Sequence, residues 1–212
     1  MLSKFDLKSI EKEAWEMNNK KPYMTIGFAA INIIVFLVME LLGDTQSAKY
    51  MAEHGAMHPL FITQDHQYWR FFTAMFLHFG SEHLLNNMVV LGASGVILEE
   101  ALGHVKFTVL YVLAGIGGSI LSCMEMLTAN DYAVSAGASG AIFGVIGGLL
   151  WIVIRHKGHY ETLSGKGLLV MIALSLYYGI STGGVDNWGH IGGLIMGFLL
   201  CMILYRKNAN EY

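Results

Sequence analysis

The chain has 212 residues, of which 54% are hydrophobic and 14% charged, and it carries a net charge of −3. A soluble domain carries about 25% charged residues, so this composition describes a polytopic membrane protein, with one domain expected at this length. Nothing in the charge balance points to nucleic acid as a partner. Cys123 and Cys201 both fall in apolar runs and read as small core residues rather than as a disulfide or metal ligands.

Residues 1–22 are polar and charged without an early apolar stretch, so no cleavable signal peptide is predicted. Leu2, Phe5, Ile10, Ala14 and Met17 recur among the charges of this tail. An amphipathic helix on the inner membrane surface and a solvated tail fit that pattern equally. At roughly 20 mainly apolar residues per crossing, six spans follow: 24–42, 83–101, 105–127, 139–155, 166–181 and 189–205. The stretch 43–82 holds Tyr68-Trp69-Arg70-Phe71-Phe72 and Met75-Phe76-Leu77. Such a mix suits an outer loop partly dipped into the headgroup region, with Trp69 and Arg70 as its anchors. The predicted fold is thus an all-α polytopic membrane protein. Six transmembrane helices over 23–206 enclose a long, partly membrane-dipped first outer loop, and 207–212 form a short tail.

Positive charge sets the orientation. The N-terminal tail, the second and fourth loops and the C-terminus hold 11 of the 13 Lys and Arg residues, whereas the alternate loops hold only Lys49 and Arg70. This split predicts a multi-pass plasma-membrane protein with both termini cytoplasmic. Ser139, His190 and His83 then all begin spans on the outer side. Polar and ionisable groups at membrane depth are costly, which marks them as functional candidates.

Gly140, Gly144 and Gly148 recur every four residues on the fourth span, and Gly189, Gly193 and Gly197 do so on the sixth. Small residues at that spacing let membrane helices approach closely, and such stripes commonly mark packing alone. Here they start at, or one residue from, Ser139 and His190. Close packing of the two spans is therefore expected to bring the serine hydroxyl to the imidazole. A serine hydroxyl attacks well only when a base takes its proton, and His190 is the candidate base. Acyl transfer also needs donors for the oxyanion. His83 and Asn87 lie at i,i+4 on one helix face and both can donate. The N–H of Ser139, at a helix start, is a further donor. Asn86 points elsewhere by helical spacing and reads as structural. Asp186, four residues before His190, fits a loop cap better than an orienting acid.

These residues resemble the rhomboid intramembrane serine proteases. Gly137-Ala138-Ser139-Gly140 matches the family's nucleophile motif and Gly189-His190-Ile191-Gly192-Gly193 its base motif. His83 with Asn87 matches the oxyanion pair, and Trp69-Arg70 the first-loop signature. Leu98-Glu99 before Leu102-Gly103 matches a glutamate at the cytoplasmic end of the second span, and His78 a structural histidine of the first loop. The likeness covers about 64–200. It implies a Ser139–His190 dyad without a third acid and without a cofactor. The implied substrates are transmembrane protein segments, cut in the lipid bilayer near its outer face, after a small residue in a helix weakened by Gly or Pro. Gly137, Gly140 and Gly193 support the site. Two departures stand out: Gly189 where the family often has Ala, and Phe143 where bacterial members often carry a Tyr on which the His ring stacks. Phenylalanine keeps the ring face and loses the hydroxyl.

Rival readings are weaker. An α/β-hydrolase elbow would need glycine at 141, which is Ala141, and strands alternating with helices. For a metal site, no H-E-x-x-H occurs, His78 and His83 are five apart, and His54, His58 and His66 form no ligand pattern. The remaining alternative is a catalytically inactive rhomboid-like protein that binds and escorts membrane helices.

Overall fold

A computed structural model describes residues 21–206. The two readings of the tail 1–22, save its last two residues, and the tail 207–212 lie outside the described residues. Six long helices carry the fold: α1 (Tyr23–Leu42), α5 (Gly80–Leu102), α6 (His104–Ala129), α7 (Ser139–Arg155), α8 (Gly165–Thr182) and α9 (Asn187–Leu204). Four of them, α1, α5, α6 and α9, are long and apolar enough to cross a membrane, and α7 and α8 are shorter apolar helices. The fold is that of an all-α polytopic membrane protein.

The helix faces follow from residue spacing. On α1, Thr25, Phe28, Asn32, Phe36 and Met39 are buried, a stripe at helical periodicity, while Ile26, Leu37 and Leu41 face outward. Phe28 lies flat on Tyr111 of α6, with ring centroids 4.1 Å apart. Helix α7 is different: it is apolar around its whole circumference, and every residue from Ala141 to Leu149 is buried. A helix of that kind belongs in the middle of a bundle. It packs against α5, α6 and α9, and its side chains form most of the main core with Leu91, Leu98, Leu110 and Tyr111. Helix α8 stands at the margin, with Leu169, Val170, Leu174, Tyr177, Tyr178 and Ile180 exposed. Cys123 and Cys201 are free and buried.

One end of the bundle is fixed by a carboxylate. Glu99, at the end of α5, is almost fully buried and accepts from the N–H groups of Met24 and Thr25 (2.9 and 2.7 Å) and from the Thr25 hydroxyl (2.7 Å). Those N–H groups open α1 and have no partner in its own ladder; the anion also suits the positive end of the helix. His104 Nδ1 lies 2.5 Å from the same carboxyl group. The start of α1 is thereby locked to the α5–α6 turn, at the opposite end of the bundle from Ser139.

The segment between α1 and α5 contains α2 (Ala48–Glu53), α3 (Pro59–Thr63), α4 (Arg70–Thr73) and a 3₁₀ turn (Ala74–Phe76). It has small cores of its own. Met51, Ala56 and Leu77 pack with Met39 of α1, and Met57, Ile62 and Ala74 with Cys123 and Met126 of α6. Arg70 corrects the sequence reading. It is 4% exposed and is no headgroup anchor. Its Nη1 donates to the Ala52 and Ala56 carbonyls (2.6 and 2.8 Å) and its Nε to Gln67 (2.7 Å). The guanidinium lies over Phe61 at 4.3 Å and Trp69 at 4.8 Å. Its planar fork satisfies two backbone carbonyls of the loop at once. Of the two expected anchors, Trp69 is the exposed one. A two-stranded hairpin, His159–Tyr160 with Leu163–Ser164, joins α7 to α8; the sequence reading placed only a loop there.

Candidate active site

The centre of the bundle is built on glycine. A Cβ on Gly193 would overlap the Gly140 carbonyl oxygen, and one on Gly197 the Gly144 carbonyl oxygen. Helices α7 and α9 therefore touch backbone to backbone, as the two stripes predict. The stripes are not wholly a two-helix device, however. A Cβ on Gly148 would meet Leu98 and Leu110 instead of α9, and Gly147 takes its place against Leu194 and Phe198. Helix α6 joins the contact through Gly118, where a Cβ would come 2.6 Å from the Gly189 carbonyl oxygen. The sequence reading passed over Gly118, whose signal lay in Gly115-Ile116-Gly117-Gly118.

This close approach brings the polar residues to one cavity. It measures about 850 Å³ and is lined by His83, Asn87, Gly137, Ser139, Phe143 and His190, among others. Ser139 is the first residue of α7. A helix of 17 residues rises about 25 Å, less than the roughly 30 Å of hydrocarbon in a bilayer. The chain enters this helix through Gly137, at φ +138°, where a Cβ would also strike the His83 ring at 2.8 Å. Glycine is thus required twice over. Ser139 Oγ lies 3.6 Å from that same point, so His83 and the serine hydroxyl border one small space.

His190 is buried on α9. Its ring lies on that of Phe143, with centroids 4.1 Å apart and planes 6° apart. Among the described residues no hydrogen bond joins Ser139 to His190, so the expected contact is a shared cavity and not a formed bond. Catalytic hydrogen bonds are often long before substrate binds. His83 Nδ1 accepts from the Phe79 N–H at 3.3 Å. In a neutral ring the proton then sits on Nε2, the nitrogen on the Gly137 side. Asn87 is buried, and its Nδ2 donates one hydrogen to the His83 carbonyl at 2.8 Å. That bond fixes the amide and leaves its second hydrogen free for the cavity. Asn86 departs from expectation: it is exposed, yet it also contributes to the cavity wall.

The segment before Ser139 is tied to the segment between α1 and α5. Met57 and Ser135 exchange backbone hydrogen bonds of 2.9 Å each way, and Gly137 N–H donates to the Ala74 carbonyl at 2.9 Å. His78 Nε2 accepts from the Ala138 N–H at 3.3 Å. Burial, with the His83 ring beside it, holds the His78 pKa down at about 3, so at neutral pH it acts as an acceptor. Asp186 caps α9 by accepting from the Gly189 N–H at 2.7 Å, as the sequence suggests.

The family model of the rhomboid domain matches residues 65–207. The chain belongs to the rhomboid family. It is 36% identical over 200 residues to rhomboid protease GluP of Bacillus subtilis (strain 168), covering 94% of this chain and 38% of that protein. It is 37% identical over 178 residues to RHOMBOID-like protein 1 of Arabidopsis thaliana, covering 81% and 43% of the two chains. To Rhomboid-like protease 1 of Toxoplasma gondii it is 32% identical over 195 residues, covering 86% and 64%. The chain spans about two fifths of the length of the first two relatives. Two of these three relatives carry the word protease in their names.

Proposed function

We propose that this rhomboid is a serine endopeptidase that cuts transmembrane segments near the outer face of the membrane, with Ser139 and His190 as its dyad. The convergence of Ser139, His190, His83 and Asn87 on one cavity carries the reading. Ser139 Oγ attacks the scissile carbonyl while His190 takes its proton, and His190 then returns a proton to the leaving amine. The charge that develops on the carbonyl oxygen is held by His83 Nε2–H, the free Asn87 amide hydrogen and the Ser139 N–H. Phe143 keeps the imidazole in plane. Water enters from the outer side, and an acyl-enzyme on Ser139 is hydrolysed by the reverse proton path. The substrate helix must unwind locally, since a helical peptide bond is shielded; a small residue before the cut and nearby Gly or Pro favour this. Residues 23–206 form the catalytic unit, which needs no cofactor. Both termini lie in the cytoplasm of a plasma-membrane protein, following the distribution of Lys and Arg.

The test uses the full chain in liposomes, a single-span substrate and a fluorophosphonate probe. Ser139→Ala and His190→Ala are each expected to abolish cleavage and labelling while melting as the parent does. Near-normal turnover in either variant would remove the dyad. Failure of the parent itself to label or cleave would favour a helix-binding rhomboid-like role without catalysis.

A further inference from the structure

Asp186 does more than cap a helix. One of its carboxylate oxygens, Oδ1, accepts from the Gly189 N–H at 2.7 Å. The other, Oδ2, accepts from two serine hydroxyls, Ser122 of α6 and Ser135 of the segment before α7, each at 2.5 Å. Three separate parts of the chain thus meet on one side chain: α6, the approach to Ser139 and the start of α9. Ser122 is fully buried, and its hydroxyl is committed to this bond. A carboxylate suits the position because it accepts several donors at once, charge-assisted bonds of this kind are short and strong, and the N-terminus of α9 favours an anion.

Its place in the chain matters more than its bond count. Ser135 stands four residues before Ser139, and Gly189 is the residue before His190. The path from nucleophile to base through Asp186 is therefore short, and it adds a polar bridge to helices that otherwise meet through glycine. On the other flank Ser135 is already pinned to Met57 through its backbone. Its hydroxyl ties this pinned segment to α9 through Asp186.

We propose that Asp186 is a positioning residue that, through Ser135, holds Ser139 and His190 in register. Asp186 and Ser135 line the same cavity as the dyad, but among the described residues the Asp186 carboxylate bonds to Ser122, Ser135 and the Gly189 N–H and to neither the Ser139 nor the His190 side chain. The inference rests on the reading of Ser139 as the nucleophile.

The experiment measures the rate of fluorophosphonate labelling at Ser139, with kcat and KM for a single-span substrate and the melting temperature, all on the full chain in liposomes. Ser135→Ala removes the bridge while leaving the cap at Gly189 intact. Because a displacement of about 1 Å can cost on the order of 100-fold, a partial loosening is expected to slow labelling and kcat about tenfold, with KM and melting temperature nearly unchanged. Ser135→Thr, which keeps the hydroxyl, restores both rates. In an Asp186→Asn background, Ser135→Ala costs little more, since residues acting through one bond are not additive. Labelling of Ser135→Ala at the parental rate would overturn the inference, as would losses for Ser135→Ala and Asp186→Asn that simply multiply. A loss that Ser135→Thr does not restore also overturns it. If the parent is not labelled at Ser139, the protease reading falls and this inference with it; if the parent labels and Ser135→Ala labels equally fast, only this inference falls.

Discussion

The imidazole of His190 and the ring of Phe143 lie face to face, 4.1 Å apart and within 6° of parallel. The two residues sit on different helices, α9 and α7, so the stack spans the same interface that the glycine stripes close. A flat partner restricts the imidazole to one plane without occupying either nitrogen. Aromatic pairs of this kind contribute about 0.5–1.5 kcal/mol beyond the area they bury.

Replacing Phe143 tests that restraint. Phe143→Tyr keeps the ring and is expected to retain parental turnover. Phe143→Leu fills much of the volume but frees the imidazole, and misorientation on the scale of 1 Å makes a loss of about tenfold or more in kcat the expected result. Steady-state kinetics on a single-span substrate distinguishes the two. Equal kcat for Leu and Tyr variants would show that the stack does not hold the base.

The glycine contacts give a paired test of packing. A Cβ on Gly193 has no room against the Gly140 carbonyl, whereas one on Gly92, in α5, meets nothing within 4 Å. Gly193→Ala should therefore force α7 and α9 apart, at a cost no smaller than the about 1–3 kcal/mol of an overfilled core, and lose activity with it. Gly92→Ala should melt at the parental temperature or slightly above, since alanine stiffens a helix. Thermal unfolding in detergent reads both. An unperturbed Gly193→Ala variant would contradict the interface described above.

Much of this fold was legible in the sequence because its strongest signals are long and redundant. Apolar runs of span length set the helices to within about three residues at every end, and the glycine periods pointed to α7 against α9. What escaped was whatever depends on contacts distant in sequence. Arg70 reads as an interfacial anchor because it follows Trp69, and only the turns between α1 and α5 bring the Ala52 and Ala56 carbonyls around its guanidinium. Gly148 falls on the right period but on the wrong side of α7, because three helices, not two, share the contact. Asp186 could be read as a cap from its place before a helix, while its two serine partners lie 51 and 64 residues away. Helical spacing turns Asn86 away from the site, yet the cavity is wide enough to reach it.

His78 gives the protein a dependence on acid. In an unfolded chain the imidazole takes a proton near 6.5, but burial holds it neutral in the fold down to about 3. Between those values the unfolded state binds a proton that the folded state refuses, so stability falls as pH drops from 6.5 towards 3 and is unaffected by this group above 6.5. His58 acts in the same direction, its pKa lowered by burial and by Arg70. The melting temperature is expected to decline through this range. His78→Gln, which can still accept from the Ala138 N–H without titrating, should flatten the decline. An unchanged slope in that variant would assign the acid sensitivity to other groups.

The oxyanion donors provide the sharpest test of the proposed chemistry. In the proposed reaction His83 Nε2–H and the free hydrogen of the Asn87 amide meet charge that exists only in the transition state. Their loss should therefore lower kcat and spare substrate binding. Removing one such donor commonly costs about 100- to 1000-fold in kcat. The loss expected here is smaller, about 10- to 100-fold for His83→Ala or Asn87→Ala alone, because the Ser139 N–H and the surviving side chain share the charge. The two changes differ in a second respect. Asn87 Nδ2 donates to the His83 carbonyl, so Asn87→Ala also loosens the turn that carries His83, whereas His83→Ala leaves Asn87 anchored. Asn87→Asp, which keeps the size but presents an acceptor and a charge to the oxyanion, should be worse than alanine. Asn86→Ala is the control: it trims the exposed wall of the same cavity and should leave kcat close to parental. Loss of kcat in Asn86→Ala together with a silent Asn87→Ala would reverse the assignment, and with it the helix face on which His83 and Asn87 are taken to act.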